Sequence, residues 1–226
     1  MAVMDLAGLR REYADRGIGV TDLTAHPMDQ FARWFEEISA AVPKSDAAWF
    51  EPNAVVLSTA APAAAGRARP SSRTVLLKGF GPEGFTVFTN YRSRKGRELA
   101  ANPDAGLLFP WYPLERQVIA AGQAVRLSDA ENDAYFATRP RGSRLGAWAS
   151  EQSAPLDDRA LLDERYAEYE RRYPDAVPRP PHWGGFRIVP AEVEFWQGRA
   201  NRLHDRLVYL RDPGAAGGWR IERRNP

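Results

Sequence analysis

Residues 183–206, WGGFRIVPAEVEFWQGRANRLHDR, concentrate aromatic and cationic side chains that could bind a ligand. Arg202, His204 and Arg206 recur at a spacing of two, so in an extended strand they would share one face. Arginine forks suit phosphate and carboxylate oxygens, and a neighbouring tryptophan such as Trp196 offers a plane for a flat ring. This segment predicts one wall of a site for an anionic, aromatic ligand. The alternative is a solvated strand edge whose arginines cover apolar surface.

Three further segments carry groups that could bind phosphate: residues 73–78, 89–95 and 135–143. In a strand, Arg73 and Lys78 would point to opposite faces, which predicts two ligand sites rather than one. Ser93, Arg94 and Lys95 stand where a helix is predicted to begin, and the free N–H groups of a helix start favour an anion. An ordinary capped surface helix is the alternative.

Tyr135, Arg139 and Ser143 follow one another at a spacing of four. A continuous helix would place the phenol, the guanidinium and the hydroxyl on one side. Pro140 interrupts this pattern and favours a helix that stops before it. A helix end capped by Arg139, with no ligand, is the alternative.

The composition excludes several classes of function. The chain has 226 residues, 44% of them hydrophobic, which suffices for a sizeable core. A formal charge of +2 is too small for a nucleic-acid footprint. With no cysteine and three histidines there is no plausible zinc cluster, and GxSxG, Walker A and GxGxxG motifs are all missing. The chemistry is therefore expected to come from a bound cofactor.

The start of the chain does not resemble a secretion signal, because charged residues interrupt it before an apolar core develops. An apolar run of about 18 residues, the minimum for a membrane helix, is also missing. We therefore expect a cytoplasmic protein without a membrane partner and without a nucleic-acid partner.

Hydrophobic periodicity predicts an α+β protein. Helices are predicted at residues 4–16, 27–41, 93–101, 128–138 and 157–173. Strands are predicted at residues 54–60, 73–80, 85–90, 105–111, 117–127, 185–197, 205–211 and 219–223. Residues 61–70 are expected to form a disordered hairpin tip. Because the strands do not alternate regularly with helices, a predominantly antiparallel barrel with peripheral helices is favoured over a doubly wound sheet.

Short sequence blocks along nearly the whole chain match one known pattern in order. They are RTVLLK, FTN with SRK, LLFPW, ERQV, YFATRPRGS, LGAWASEQS, WGGFRI, VEFWQG and RLHDR. Together they resemble the pyridoxamine 5′-phosphate oxidase family of flavin enzymes. The resemblance implies a Greek-key split β-barrel, a homodimer, and FMN in a cleft between subunits. It further implies a single domain over residues 1–226, with a mobile segment at 1–20 and a portion at about 175–226 that contributes to dimerisation and the active site.

The resemblance also assigns site residues. For FMN it implicates Arg73, Thr74, Val75, Leu76, Leu77, Lys78, Phe88, Thr89, Arg94, Lys95, Gln117, Gln152, Ser153, Trp196 and Arg206. For the substrate it implicates Arg10, Arg11, Glu12, Tyr13, Lys78, Tyr135, Arg139, Ser143, Arg202, Leu203 and His204. Of these, Arg202 and His204 are expected to be catalytic, near the pyridine ring. The implied reaction oxidises pyridoxamine or pyridoxine 5′-phosphate to pyridoxal 5′-phosphate, with dioxygen as electron acceptor and hydrogen peroxide as product.

Two alternatives and one departure accompany this interpretation. A related split-barrel flavin oxidase could act on another ring, as in phenazine biosynthesis, although Lys78, Arg139 and Ser143 favour a substrate phosphate. A non-catalytic flavin or pyridoxal-phosphate carrier would bind the ligand without turnover. The departure is Arg224, where the family usually has leucine, and we expect it to loosen the last strand.

Overall fold

A computed structural model describes residues 12–13, 16–42, 49–63 and 66–226. The α-helices are α1 (Pro27–Ala41), α2 (Arg94–Ala101), α3 (Asp129–Thr138), α4 (Arg141–Ala149) and α5 (Arg159–Arg172). The strands are β1 (Ala54–Pro62), β2 (Ala68–Gly81), β3 (Gly84–Asn90), β4 (Asp104–Trp111), β5 (Arg116–Arg126), β6 (Trp183–Gln197), β7 (Asp205–Arg211) and β8 (Trp219–Arg224). Within the described ranges, no helix combines the length and the apolar character needed to cross a membrane.

The strands form one sheet in the order β3-β2-β1-β4-β5-β6-β7-β8, and β3 also pairs with β6. This second pairing closes the first six strands of the chain into a barrel, and β7 and β8 extend the sheet from β6. The β1–β2, β2–β3, β3–β6, β6–β7 and β7–β8 pairs are antiparallel. The predicted α+β antiparallel barrel with peripheral helices is confirmed.

The chain divides into two compact units, and the first comprises residues 1–52, 107–120 and 191–226. Its core is organised by α1, whose apolar residues recur every three to four positions. Phe31 and Trp34 are almost fully buried. The ring centroid of Phe31 lies 4.9 Å from that of Phe109, and the ring centroid of Trp34 lies 5.0 Å from that of Phe195. Edge-to-face contacts of this kind add to the burial of each ring.

The second unit comprises residues 53–106 and 121–190. Its β2–β3 hairpin turns at residues 81–84, as the GPEG sequence predicts. Gly84 has φ +133°, and a Cβ there would lie 2.1 Å from the carbonyl oxygen of Ile188. Only glycine fits such a close approach to the neighbouring strand. The register of β2 against β3 shifts between Leu77 and Gly79, which places Lys78 in a β-bulge.

Local predictions succeeded in most of the described chain. Ser93 and Ser128 cap α2 and α3 through their side chains, as predicted for Ser93. The disorder expected at residues 61–70 is wrong for its described strand residues, because Pro62 pairs with Ala68 and the ladder continues from there. Helix α4 was not predicted. The helix predicted at residues 4–16 and the mobile segment at 1–20 fall largely outside the described residues.

Candidate active site

A cavity of about 890 Å³ opens in the second unit. It is lined by twelve of the residues that the sequence singled out, namely Arg73, Thr74, Val75, Leu76, Lys78, Phe88, Thr89, Lys95, Tyr135, Arg139, Ser143 and Gln152. Seven more lining residues were not assigned from the sequence, namely Asn90, Thr138, Pro140, Gly146, Ala147, Ser150 and Trp183. The volume suits a ligand of cofactor size, since such cavities typically span about 300–1,000 Å³.

One end of the cavity carries a cation among neutral oxygens. The ammonium of Lys95, in the first turn of α2, lies 3.1 Å from Thr89 Oγ1 and 3.2 Å from Gln152 Oε1. Burial and the positive charge of Arg73 lower the pKa of Lys95, and the carboxylate of Glu98 acts in the opposite direction. The Lys95 ammonium is thus partly stripped of water beside a second cation, which favours an anionic ligand.

A buried carboxylate stands behind this end of the cavity. Glu98 is 6% exposed, and it accepts hydrogen bonds from Thr59 Oγ1 at 2.5 Å and Ser71 Oγ at 2.6 Å. It also forms ion pairs with Arg73 at 3.1 Å and Arg94 at 2.9 Å. Burial alone would raise the pKa of Glu98, but these hydrogen bonds lower it to about 2. Arg94 is held by this carboxylate and does not belong to the cavity lining.

The other end of the cavity is aromatic and holds a second arginine. The rings of Phe88 and Tyr135 stack with centroids 3.9 Å apart, and Trp183 stacks on Phe88 at 5.4 Å. The guanidinium carbon of Arg139 lies 4.6 Å from the Trp183 ring centroid. Burial lowers the pKa of Arg139, and Tyr135 acts in the opposite direction.

The hydrogen-bonding capacity of Arg139 is not used up. Its Nη1 atom is buried and has no hydrogen-bond partner among the residues that the structure describes. A buried donor without a partner costs about 1–3 kcal/mol, and more when it is charged. An anion in the cavity would supply the missing acceptor. Burial also raises the pKa of the Tyr135 phenol, so the phenol stays protonated near neutral pH and can donate a hydrogen bond.

The continuous helix considered for Tyr135, Arg139 and Ser143 does not form. Helix α3 ends at Thr138, Arg139 is extended with φ −73° and ψ 144°, and Pro140 precedes α4. Proline disfavours the helical conformation in the residue before it, as Pro140 does here in Arg139. The three residues nevertheless line the same cavity, to which α4 contributes Ser143.

Arg73 and Lys78 are not kept apart as a regular strand would require, and the two ligand sites predicted for them stay a prediction. Both residues line the same cavity. Simple alternation fails because the bulge at Lys78 interrupts the ladder between β2 and β3. Leu77, which the resemblance assigned to FMN, is 5% exposed and its side chain belongs to the core.

A second cluster of predicted residues lies in the first unit. Tyr13, Trp196 and His204 form ring contacts, with centroids 5.9 Å apart for Tyr13–Trp196, 5.6 Å for Tyr13–His204 and 4.6 Å for Trp196–His204. Burial and the charge of Arg202 lower the pKa of His204. The backbone N–H of Arg199 donates to Nδ1 of His204 at 3.1 Å, so the neutral ring carries its proton on Nε2. His204 therefore has an N–H available as a donor.

The predicted cationic strand face at Arg202, His204 and Arg206 is wrong. Arg202 ends a 3₁₀ turn with φ +61°, and β7 begins only at Asp205, so alternation cannot align the three side chains. The guanidinium of Arg206 is bound in fork geometry by Glu194, with Nε and Nη2 at 2.7 Å and 2.8 Å from its two carboxylate oxygens. Glu194 is 4% exposed, so Arg206 already has a buried counter-ion.

The remaining predicted residues differ in their surroundings. Gln117 is half-buried in β5, and Leu203 is 67% exposed. Ser153 is exposed and has φ +72°. Glu12 is exposed, whereas Arg10 and Arg11 lie outside the described residues.

Arg224 does not loosen the last strand as expected. Its Nη1 lies 2.7 Å from Glu192 and its Nε lies 3.1 Å from Glu222. The first ion pair connects β8 to β6 across β7, and the second lies within β8. An arginine can replace an apolar residue here because two carboxylates face it.

Four of the lining residues without an assigned role, namely Gly146, Ala147, Ser150 and Trp183, were missed for identifiable reasons. Gly146, Ala147 and Ser150 belong to α4 or follow it, and that helix was missed because its sequence, RGSRLGAWA, contains two glycines and follows a proline. Trp183 was noted only as part of the WGG block. Its position against Arg139 depends on the β3–β6 pairing, which local patterns do not reveal.

Family models match most of the chain. Residues 41–173 match a model described as pyridoxamine 5′-phosphate oxidase. Residues 183–226 match one described as the pyridoxine 5′-phosphate oxidase C-terminal dimerisation region. Two relatives are named pyridoxine/pyridoxamine 5′-phosphate oxidase. The one from Rubrobacter xylanophilus is 55% identical over 98% of this chain and 97% of its own. The one from Streptomyces avermitilis is 53% identical over 99% of this chain and 97% of its own.

Solved structures show the same fold. PhzG from Burkholderia lata, solved with tetrahydrophenazine-1-carboxylic acid, aligns with a TM-score of 0.80 at 34% identity and covers 91% of this chain and 95% of its own. An FMN-binding protein from Nostoc punctiforme aligns with a TM-score of 0.64 at 20% identity over 85% of this chain and 97% of its own. On the extent of these matches, the chain belongs to the pyridoxamine 5′-phosphate oxidase family.

Proposed function

We propose that this protein is a cytoplasmic, FMN-dependent oxidase that converts pyridoxamine 5′-phosphate and pyridoxine 5′-phosphate to pyridoxal 5′-phosphate. Dioxygen would be the electron acceptor and hydrogen peroxide the second product. The observation that carries the proposal is the cavity of about 890 Å³, whose lining includes four cations, Arg73, Lys78, Lys95 and Arg139, and stacked aromatic rings beside Arg139. Two phosphate esters with flat rings, one cofactor and one substrate, would match these cations with their phosphates and the aromatic lining with their rings.

The residues at the Lys95 end fit the phosphate of FMN. Lys95 stands in the first turn of α2, where helix N–H groups and a cation favour a phosphate together. Arg73 adds a second positive charge from β2. The residues that would hold FMN are Arg73, Thr74, Val75, Leu76, Lys78, Phe88, Thr89, Lys95 and Gln152. When bound, FMN would supply the two-electron acceptor chemistry that side chains lack.

The residues at the Arg139 end fit the substrate phosphate. The buried Nη1 of Arg139 needs an acceptor, and a phosphate oxygen is one. The Tyr135 phenol and the Ser143 hydroxyl can donate further hydrogen bonds from the same lining. Lys78, also in the lining, adds a positive charge. Together these four groups would fix the phosphate, and through it the distance of the reacting carbon from the flavin.

We further propose that Arg202 and His204 act on the ring of the substrate. His204, uncharged near neutral pH and protonated on Nε2, would donate a hydrogen bond, and Arg202 would hold the reacting end electrostatically. Glu12, Tyr13 and Leu203, with Arg10 and Arg11, would cover the substrate, and Gln117, Trp196 and Arg206 would contact the flavin. The match of residues 183–226 to a dimerisation region supports a homodimer. In the proposal, FMN would lie between its subunits.

The similarity to PhzG makes phenazine oxidation a second candidate. Its structure holds a tricyclic carboxylic acid, which carries no phosphate. The cations at both ends of the present cavity favour two phosphate esters instead. The higher identity to the relatives named oxidases, 53–55%, supports the same choice.

The test is an assay of the FMN-loaded protein in air with pyridoxamine 5′-phosphate, pyridoxine 5′-phosphate or a dihydrophenazine carboxylate. We expect pyridoxal 5′-phosphate and an equal amount of hydrogen peroxide from the first two substrates. Tight binding without peroxide would indicate a carrier. Oxidation of the dihydrophenazine carboxylate alone would indicate the phenazine reaction.

A further inference from the structure

Arg179, which does not line the cavity, makes three hydrogen bonds behind it. Its side chain is 11% exposed. The Nε atom lies 2.5 Å from Asp133 Oδ1 and the Nη2 atom 2.7 Å from Asp129 Oδ1. The Nη1 atom donates to the backbone carbonyl of Trp183 at 2.9 Å. A single guanidinium fork thus binds two carboxylates and one carbonyl.

These partners belong to the two elements that carry the Arg139 end of the cavity. Asp129 and Asp133 are one helical turn apart on α3, the helix that also carries Tyr135 and is followed directly by Arg139. Trp183 begins β6, and its ring lies beneath the guanidinium of Arg139. Arg179 therefore connects α3, the helix that carries Tyr135, to Trp183, whose ring contacts the guanidinium of Arg139.

We propose that Arg179 is a positioning residue for the substrate phosphate, fixing α3 against the start of β6 so that Arg139 and Tyr135 are held in place before the substrate arrives. This inference rests on the proposed function, in which the substrate phosphate binds at the Arg139 end. Affinity gained by such pre-organisation comes from ordering that does not have to occur on binding.

The backbone around Arg179 suits this role. Pro178, Pro180 and Pro181 surround it, and each proline ring fixes its own φ near −65°. The N–H of Trp183 donates to the carbonyl of Pro180 at 3.0 Å, which joins this segment to β6. A stiff segment keeps the arginine fork in one orientation, and a lysine could not bind all three acceptors in the same planar geometry.

A matched control exists on the same two elements. Arg187, on β6, forms ion pairs at 2.7 Å with Glu131 of α3 and with Glu83. Its side chain is 30% exposed and, within the described chain, forms no hydrogen bond or ring contact with Trp183, so it connects α3 to β6 without touching the phosphate end. Loss of Arg187 therefore reports how much a general loosening of α3 contributes.

The experiment compares Arg179→Met, Arg179→Lys and Arg187→Met in the FMN-loaded protein. Four quantities are measured: the kcat and the KM for pyridoxamine 5′-phosphate, the Kd of pyridoxal 5′-phosphate from its absorbance, and the Kd of FMN from flavin fluorescence. The KM and the Kd of pyridoxal 5′-phosphate report on the substrate phosphate. For Arg179→Met we expect the KM and the Kd of pyridoxal 5′-phosphate to rise about tenfold, the effect of one charge-assisted hydrogen bond. The kcat and the FMN Kd should stay within about twofold. For Arg179→Lys, the KM and the Kd of pyridoxal 5′-phosphate should fall between those of wild type and Arg179→Met. For Arg187→Met, both values should stay near those of wild type.

An unchanged Kd for pyridoxal 5′-phosphate in Arg179→Met would overturn the positioning role. So would an equal loss of FMN affinity or an equal effect of Arg187→Met, since both would indicate general destabilisation. If Arg179→Met does not fold, Asp133→Asn removes the same contact from the helix side and should raise the Kd of pyridoxal 5′-phosphate severalfold. A wild-type protein that binds pyridoxal 5′-phosphate but does not oxidise pyridoxamine 5′-phosphate would refute the proposed oxidase. The comparison of Kd values between the variants would remain valid.

Discussion

Replacing Arg139 with methionine should separate substrate affinity from stability. In the unliganded protein Arg139 is a half-buried cation whose Nη1 atom is buried and has no hydrogen-bond partner within the described chain. Cation–π contacts offset part of the cost of removing this charge from water. The ring centroids of Trp183 and Phe136 lie 4.6 Å and 5.6 Å from the guanidinium carbon. Methionine keeps most of the apolar contact and removes both the charge and the donors.

The magnitudes indicate opposite effects on the two properties. An unsatisfied buried donor costs about 1–3 kcal/mol, and cation–π contacts return about 0.5–2 kcal/mol. The unliganded Arg139→Met variant should therefore unfold within about 3 °C of wild type, or at a higher temperature. Each charge-assisted hydrogen bond to the substrate phosphate contributes about 1.5–3 kcal/mol. The Kd of pyridoxal 5′-phosphate should then rise roughly ten- to a hundredfold.

Arg141→Met is the matched control, two positions further along the chain. Arg141 is satisfied, because it donates to the carbonyls of Asp175 at 2.8 Å and Tyr173 at 2.6 Å. Its loss should lower the melting temperature by about 3–6 °C and leave the Kd of pyridoxal 5′-phosphate within about twofold. Thermal unfolding and equilibrium titration measure both quantities for each variant.

Two results would refute this reasoning. A large fall in the melting temperature of Arg139→Met would show that Arg139 stabilises the unliganded fold. An unchanged affinity for pyridoxal 5′-phosphate would show that its free donor does not face the substrate phosphate.

Three further predictions concern Lys95, Glu98 and Gly185. Lys95→Met should raise the Kd of FMN about ten- to a hundredfold, measured by flavin fluorescence; equal loss of riboflavin, which has no phosphate, would contradict a phosphate contact. The folded pKa of Glu98 falls from 4.5 to about 2, worth at most roughly 3 kcal/mol, so Glu98 stabilises the fold above pH 4.5 and loses that effect as pH falls through about 2. Urea unfolding should show Glu98→Gln less stable than wild type at pH 7, with a smaller difference at about pH 3; a constant difference would refute the assignment. Gly185→Ala would bring a Cβ to 2.6 Å from Leu127 Cδ1 and 2.9 Å from Phe88 Cε1, and should cost about 1–3 kcal/mol of unfolding free energy by overpacking; an unchanged free energy in urea unfolding would contradict this close packing.

Patterns that are local in sequence predicted the elements well. The N-cap at Ser93, the apolar spacing of α1 and the turn at residues 81–84 each depend on neighbours within a few positions. Alternation and capping act over the same distance, so the strands and most helix starts could be placed from the sequence. The resemblance then supplied twelve residues that line one cavity.

The errors arose where partners are distant along the chain. The strand face predicted for Arg202, His204 and Arg206 does not form, and Arg206 binds Glu194 on the neighbouring strand, a partner that only the β6–β7 register brings close. The bulge at Lys78 depends on the pairing of β2 with β3. The role of Glu98 was missed for the same reason, because its partner Thr59 is 39 positions away.

The central claim is that one cavity holds FMN and a B6 phosphate ester so that electrons pass from the ester to the flavin. The most direct test is an anaerobic titration of the FMN-loaded protein with pyridoxamine 5′-phosphate, followed by visible absorbance. The account predicts that the flavin band bleaches in proportion to the pyridoxal 5′-phosphate formed and returns when air is admitted. A protein that takes up no FMN, or whose flavin band persists with saturating substrate, would contradict it.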